Sequence, residues 1–445
     1  DVDRRIGDRV LHQDKGCPPG GREMKPNCAI LAVGTELTSG LSLNTNSAFI
    51  AQYLTRMGYE CGSFTGVPDD INKIAIAVKW LLEGADILII TGGLGPTVDD
   101  LTREGLSKAL DKDLRFDPRL AKIIEKKFDQ MCKPMPESAL HQANILEGAI
   151  PIEPTLGTAP GMIVEVKDKI VFALPGVPLE MKKMLEENVI PFLKGKKPSR
   201  MVPTRTIKTC GIGEVFLEEK VKDILVKHEG VAVTILAHPE EVHLRLSATG
   251  PRAEEKLTAI KDELSARLGN IIYGFDEDTL ESVVGELLLK CGLRLGVAES
   301  CTGGLLGDRI TNVPGSSRYF LGGIVAYSNE MKQRLLMVPE EILQKQEAVS
   351  PEASLAMSDG ARRVTGADIG LSITGIAGPT GGTVEKPVGL VFVALSSESK
   401  GVCKRFVFSD SREMVKFRAS QLAFNTLRLF LLEELESKGG ETPGC

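Results

Sequence analysis

Three short runs in the first half of the chain constrain its architecture more than any other feature. "CAILAVG" (28–34), "ADILIITGG" (85–93) and "KIVFALPG" (169–176) are apolar through their centres, and each ends on glycine. A strand that is apolar on both faces must be covered on both faces, which is the situation of a parallel sheet with helices above and below. The segments between supply those helices. "NTNSAFIAQYLTRMG" carries a helical period closed by Gly58, a second helix runs through Leu110, and "PLEMKKMLEENVIPFL" follows the third strand. The pattern predicts a parallel-sheet α/β domain over 25–197.

Residues 204–274 read differently, as β-α-β-β-α-β, the order of a small split βαβ domain. In "EVHLRLSA", Val242, Leu244 and Leu246 alternate with polar residues, so this strand has one wet face. Ten Lys/Arg against eleven Asp/Glu give this segment no basic face for RNA, and a spacer or dimerisation role suits it better. A third unit, 279–438, begins with a helix over 279–291. In it "SPEASLAMSDGARRVTG" starts a helix at Ser350 and Pro351 and stops it at Gly366. Asp410 with Glu413 three residues on predicts a loose capping box for a terminal helix over 411–436.

At 445 residues the chain is long enough for two or three domains, and its net charge of −6 provides no field for nucleic acid or an anionic membrane. No apolar run reaches the roughly 18 residues of a membrane span. The first 23 residues lack a signal-peptide core, and residues 1–24 read as a disordered lead-in ending at Met24, a plausible start. The nine cysteines are scattered, with no CxxC pair, which fits a reducing, cytoplasmic setting better than a disulfide framework or a zinc site.

The stretch "LRLGVAESCTGGLLGDRI" (293–310) crowds Glu299, Ser300, Cys301 and Thr302 into one strand-to-helix turn before Gly303 and Gly304. The five histidines all lie at or before position 243. A Ser–His or Cys–His pair therefore cannot be built from 244–445, and a nucleophile here needs lysine, a carboxylate or tyrosine as its base. "GGIVAYSNEMKQRLL" supplies Tyr327, Glu330 and Lys332 just after an apolar strand. Cys301 is intrinsically the better nucleophile, although a cysteine beside a glycine turn is ordinarily a small apolar packer. Ser300 and Thr302 read equally well as helix caps, and Lys332 as a solvated surface residue. Residue types alone leave the choice open. An internal echo, "ITGGLGPT" (90–97) against "ITGIAGPT" (373–380), reads as two separate uses of a glycine turn that brings backbone N–H groups to an anion.

"VAESCTGG", "GSSRYFLGGIVAYSNEMK", "AVSPEAS", "ITGIAGPTGGTVEKPVGLV" and "FSDSREMVKFRA" together resemble the C-terminal domain of the CinA family, a nicotinamide mononucleotide deamidase. "AVGTELTSG", "NTN", "TGGLGPTVDDLTRE", "PGMIVE" and "LPGVPLEM" resemble the family's N-terminal molybdopterin-binding-like domain, and the segment between resembles its KH-like domain. The resemblance covers 27–436. It implies an α/β, KH-like α+β and α/β succession, and a Ser–Lys dyad of Ser300 and Lys332 assisted by Tyr327, with Cys301 a bystander. The implied reaction is hydrolysis of the substrate's carboxamide to nicotinate mononucleotide and ammonia, without a cofactor. Thr302, Gly303, Gly304, Gly322, Gly323, Thr374, Gly375, Gly378 and Arg412 become substrate-binding residues. Among these, the N–H groups of Thr302–Gly304 serve the oxyanion, and Gly375, Gly378 and Arg412 serve the phosphate.

In the N-terminal domain the phosphate turn is Gly92, Gly93, Gly95 and Thr97, with Asp99, Asp100 and Glu36 as ligands of a divalent metal. Thr97 with Asp100 reads equally as a helix cap. Some family members are metal-dependent ADP-ribose pyrophosphatases here, with potassium as a further cation, and others have lost that activity. This chain has "GTELTSGLSLNTN" where the family more often has a leucine-rich run. The resemblance also implies a homodimer acting on small nucleotides. The competing readings are a pyrophosphatase alone and a non-catalytic, nucleotide-binding regulatory protein.

Overall fold

The apolar runs become strands buried through their centres, and capping side chains start the helices that cover them. The computed structural model describes residues 27–196 and 202–437; the lead-in expected over 1–24 lies outside the described residues. The chain divides into two compact units, one ending at Val202 and one beginning at Pro203.

The main sheet of the first unit comprises β1 (Asn27–Val33), β2 (Glu60–Val67), β3 (Ile87–Thr91), β4 (Ile150–Ile152), β5 (Gly161–Val166) and β6 (Lys169–Leu174), in the order β2-β1-β3-β6-β5-β4. The first four in that order are parallel. The expected parallel sheet is thus present, and it is extended at one edge by β5, antiparallel to β6, and by β4, antiparallel to β5. The cause is local: only Lys167 and Asp168 separate β5 from β6, a hairpin-length link with Lys167 at φ 55°, and no crossover fits in two residues. Helix α1 (Thr45–Arg56) starts where Ser47 N donates to Asn44 Oδ1 at 3.1 Å. Helix α2 (Ile71–Gly84) starts where Asp70 accepts from Asn72 N and Lys73 N, both at 2.9 Å.

The second unit holds two sheets. β7 (Thr204–Cys210), α3 (Glu214–Lys227), β8 (Val231–His238), β9 (Glu241–Ala248), α4 (Ala253–Leu268) and β10 (Ile272–Phe275) form an antiparallel sheet in the order β8-β9-β7-β10. This is the expected split βαβ arrangement. Val242, Leu244 and Leu246 of β9 turn into its core.

The other sheet comprises β11 (Leu295–Glu299), β12 (Phe320–Val325), β13 (Ile369–Gly375), β14 (Leu390–Ser396) and β15 (Gly401–Val407), in the order β12-β11-β13-β14-β15. Strands β12, β11 and β13 are parallel, and β14 and β15 antiparallel. Helix α5 (Leu280–Cys291) opens on a reciprocal cap between Thr279 and Ser282. The helices that follow include α6 (Leu305–Thr311), α7 (Asn329–Leu336), α8 (Pro351–Thr365) and α9 (Arg412–Ser437). Ser350 caps α8 and Gly366 ends it at φ 68°, as the sequence indicates. The terminal helix departs from expectation. Ser411 accepts from Met414 N at 3.3 Å, while the Asp410 carboxylate goes instead to Arg418. A nearby guanidinium outcompetes the helix's own N–H groups for the carboxylate.

Within this unit a buried polar chain ties the split βαβ sheet to α9. The Glu241 carboxylate accepts from Tyr273 Oη at 2.8 Å and Gln421 Nε2 at 2.5 Å and lies 2.9 Å from His243 Nε2. Gln421 also meets Arg309, whose guanidinium lies between the Phe417 and Phe424 rings and is ion-paired with Glu281. No helix among the described residues is long and apolar enough to cross a membrane.

Helix α8 lies so close on β13 that a Cβ at Gly370 would collide with the carbonyl oxygen of Ser358. We expect Gly370→Ala to destabilise the second unit by about 3 kcal/mol, measured by chemical denaturation followed by circular dichroism. An unchanged midpoint would mean that the helix can lift off this strand freely.

Candidate active site

An interior strand of the last sheet, β11, ends in the turn that carries the chemistry. Every residue of β11 is buried, and Ser300 continues the parallel ladder by donating its N–H to Ile373 O at 2.9 Å. Its side chain is thereby delivered at the carboxyl edge of the sheet, where open α/β sheets bind ligands. The next residues must reverse direction, and Gly303 (φ 65°) and Gly304 (φ 103°) do so in the left-handed region.

The cap of α6 is neither Ser300 nor Thr302. It is Glu299, 1% exposed, whose carboxylate accepts from Gly304 N (3.0 Å), Leu306 N (3.1 Å) and Gly307 N (2.8 Å). A carboxylate serves the positive end of a helix better than a hydroxyl, so the capping alternative for the two hydroxyl residues falls away. Ser300 Oγ is left for another partner.

That partner is Lys332. Ser328 caps α7 by accepting from Met331 N at 3.2 Å, and the next residue turns inward. Lys332 is 1% exposed, so its reading as a surface lysine is corrected. Its Nζ lies 3.0 Å from Ala326 O, 3.0 Å from Tyr327 O and 3.1 Å from Ser300 Oγ. No ion pair among the described residues includes it. Burial disfavours the ammonium and holds its pKa below the ordinary lysine value. The two carbonyls take two N–H bonds of the amine, so its third position, a proton or a lone pair, is aimed at Ser300.

Cys301 does not share this arrangement. It is buried, and burial pushes its thiol up to about 12, so it remains a thiol at neutral pH. Tyr327 contributes to the lysine through its backbone carbonyl. The residue is 62% exposed, and its hydroxyl accepts from Arg412 Nη2 at 2.9 Å. The expected proton assistance from this phenol therefore has no direct contact behind it.

The structure sorts the remaining expected residues. Gly304 N is taken by Glu299 and Gly303 N by Ser300 O (3.2 Å), so of the three expected oxyanion donors only Thr302 N is free, joined by Cys301 N. Thr302 N has no acceptor among the described residues, and Cys301 N meets only its own thiol. Thr374 and Gly375 end β13 beside the turn, but the Thr374 hydroxyl is committed to Ala348 O at 2.9 Å. Gly378 presents its carbonyl to Arg412 Nη1 at 2.7 Å. Gly322 and Gly323 lie mid-strand in β12, opposite Gly296 and Val297 and short of the strand end that carries the turn.

In the first unit a cavity of about 540 Å³ opens at the carboxyl ends of β1, β3 and β6. Gly92 (φ 104°) and Gly93 (φ 65°) bend the chain there. Arg103, 3% exposed, donates to Leu94 O (2.9 Å) and Gly95 O (2.8 Å), and Thr102 Oγ1 donates to Gly92 O (2.8 Å). With those carbonyls held from one side, the N–H groups of Gly93, Leu94 and Gly95 have no acceptor among the described residues. The helix after this turn begins only at Thr102, so Thr97 and Asp100 do not cap it. Thr97 N and Oγ1 instead bind Asp100 Oδ2 at 2.9 and 2.6 Å, closing a separate loop that also draws in Asp99. The Thr97 hydrogen bond holds the Asp99 carboxyl below its ordinary range. Glu36, Asp99 and Asp100 line the same cavity, yet no three acidic, histidine or cysteine side chains among the described residues converge as a metal cluster.

Comparison with known proteins covers nearly the whole chain. Residues 277–431 match the model of the CinA C-terminal domain, 29–195 that of the "Probable molybdopterin binding domain", and 204–274 that of the damage-inducible protein CinA KH domain. A CinA-like protein of Dictyoglomus thermophilum is 41% identical over 408 residues, covering 91% of this chain and 99% of the relative. A CinA-like protein of Thermotoga maritima is 40% identical over 408 residues, covering 91% and 98%. A crystal structure of the protein CinA from Thermoplasma acidophilum, titled as of unknown function, is 39% identical and covers 37% of this chain and 98% of that one, with a TM-score of 0.35.

The capping role of Glu299 and the whole role of Arg103 escaped the sequence reading, and each had a faint signal: an acid closing an apolar strand, and an arginine opening the helix that follows a glycine run. Removing the Glu299 carboxylate strands three buried or half-buried N–H groups. Glu299→Ala is expected to cost on the order of 2–3 kcal/mol in denaturant unfolding, and Glu299→Gln less.

Proposed function

The chain belongs to the CinA family, and from that premise we propose that its C-terminal site hydrolyses the carboxamide of nicotinamide mononucleotide, giving nicotinate mononucleotide and ammonia. The observation that carries this reading is the buried Lys332 Nζ, 3.1 Å from Ser300 Oγ with its other hydrogen bonds spent on two carbonyls. An amide is a poor electrophile, and an unassisted serine hydroxyl is a poor nucleophile. The dyad addresses the second difficulty without a histidine.

Neutral Lys332 accepts the Ser300 proton as Oγ attacks the carboxamide carbon. The tetrahedral oxyanion receives the N–H groups of Cys301 and Thr302, which are worth roughly 3 kcal/mol per donor in comparable sites. Collapse returns the proton from Lys332 to the leaving nitrogen, releasing ammonia and leaving the acyl group on Ser300. Water then adds with Lys332 again as base, and the acid departs. Tyr327 and Arg412, bonded to one another, are exposed groups close to the dyad.

A second reading concerns the N-terminal cavity, which we assign to a nucleotide pyrophosphate. It is favoured by the three free N–H groups of Gly93–Gly95, held outward by Arg103. A magnesium-like cation commonly takes one or two carboxylates and completes its shell with water and substrate phosphates. The residues present fit that role rather than a closed protein cage, with Asp99, Asp100 and Glu36 as the candidates from which one or two carboxylates would come. Such a cation would supply charge neutralisation on the pyrophosphate. ADP-ribose cleavage that requires a divalent metal and disappears in Asp99→Asn would support this assignment.

The purified protein is expected to release ammonia from nicotinamide mononucleotide without added metal. Ser300→Ala should be inactive, Lys332→Ala should fall by about 10²–10⁴-fold, and Cys301→Ala should retain turnover. Because burial lowers the Lys332 pKa, the neutral base is populated at lower pH than for an ordinary lysine. kcat/KM should therefore rise with pH, with a midpoint below 10.5, and fall as pH drops through that value. An inactive Cys301→Ala beside an active Ser300→Ala would overturn the assignment.

A further inference from the structure

Two cations on one face of α9 flank the Ser300 turn, and neither has a carboxylate partner. Arg412 and Lys416 are one helical turn apart, so their side chains share a face. Arg412 is anchored by Gly378 O and Tyr327 Oη, which fixes its guanidinium beside the segment leading to Lys332. Lys416 lies against the Ser300 turn itself, on the side of Gly303. Its Nζ lies 3.9 Å from the position a Cβ on Gly303 would take.

Their neighbours are neutralised. Arg418 pairs with Glu240 and Asp410, and Arg309 with Glu281. Lys416, only half-buried, and Arg412 form no ion pair among the described residues. The remaining local source of positive potential, the start of α6, is consumed by Glu299. An anion arriving at this turn therefore finds its charge complement on α9 and a carboxylate at α6.

We propose that Lys416, acting with Arg412, binds the 5′-phosphate of the substrate and sets the preference for a nucleotide over the corresponding nucleoside. This rests on the deamidase reading of the Ser300 site and adds to it a residue that neither glycine turn supplies. Two unpaired cations match a phosphate monoester, which carries close to two negative charges at neutral pH. The carboxamide end of the ligand then faces the Ser300–Lys332 dyad, while the charged end stays at the helix face.

The test compares wild type, Lys416→Ala and Lys416→Arg. With nicotinamide mononucleotide and nicotinamide riboside as alternative substrates, Lys416→Ala should lower the ratio of their kcat/KM values by about tenfold or more, and Lys416→Arg should largely restore it. Ribose 5-phosphate binding, followed calorimetrically, probes the subsite without turnover. A phosphate site in the N-terminal unit is common to all three proteins, so only affinity lost in Lys416→Ala counts. A substrate ratio and a ribose 5-phosphate affinity both within about twofold of wild type in Lys416→Ala would overturn the proposal. If wild type deamidates neither substrate, the deamidase reading fails, and the calorimetric comparison alone decides the subsite.

Discussion

A buried amine with no carboxylate beside it is the constraint on which the C-terminal site depends. Burying an ammonium is costly, and a lysine in such a place is ordinarily neutralised or paired. Lys332 is given two backbone carbonyls and a serine hydroxyl instead. The carbonyls fix the direction of the amine, and desolvation makes the loss of its proton easier. Orientation and basicity thus come from one act of burial. The parallel strands β11 and β12 bring the two halves together, with Ser300 following one strand and Lys332 lying one turn into the helix after the other.

Glu299 divides the labour in that turn. By taking the three N–H groups at the start of α6, it spares Ser300 from capping and spends its own charge on the helix end rather than on Lys332. Arg103 does the corresponding work in the N-terminal turn, holding carbonyls so that amides face the cavity. The two echoed glycine motifs therefore differ in support. The first is pinned from beneath by an arginine, and the second meets one through a carbonyl at its surface.

Much of this was legible in the sequence because it rests on short-range rules. All-apolar runs ending in glycine marked the buried strands, and Ser350, Pro351 and Gly366 bounded α8 as local capping rules require. The missing histidines after position 243 narrowed the choice of base to lysine, a carboxylate or tyrosine. What failed to show was competition between partners distant in sequence. Asp410 prefers Arg418 to its own helix, Thr97 and Asp100 close a loop ahead of theirs, and Glu299 displaces two hydroxyl residues that looked like caps. The antiparallel β5 was obscure because the two-residue link to β6, Lys167 and Asp168, lacks the glycine or asparagine that usually marks a hairpin turn. Burial of Lys332 was invisible for a similar reason, since a lysine early in a helix is usually solvated.

The claim that Ser300 is the nucleophile can be examined most directly by rapid quenching of a turnover mixture with nicotinamide mononucleotide, followed by peptide mass spectrometry. Ser300 and Cys301 are adjacent, so fragmentation must place the adduct on one of them. The account predicts an acyl group on Ser300 that forms at a pH-dependent rate and is absent in Lys332→Ala. An acyl group on Cys301, or ammonia release through a Ser300→Ala protein at an undiminished rate, would contradict it.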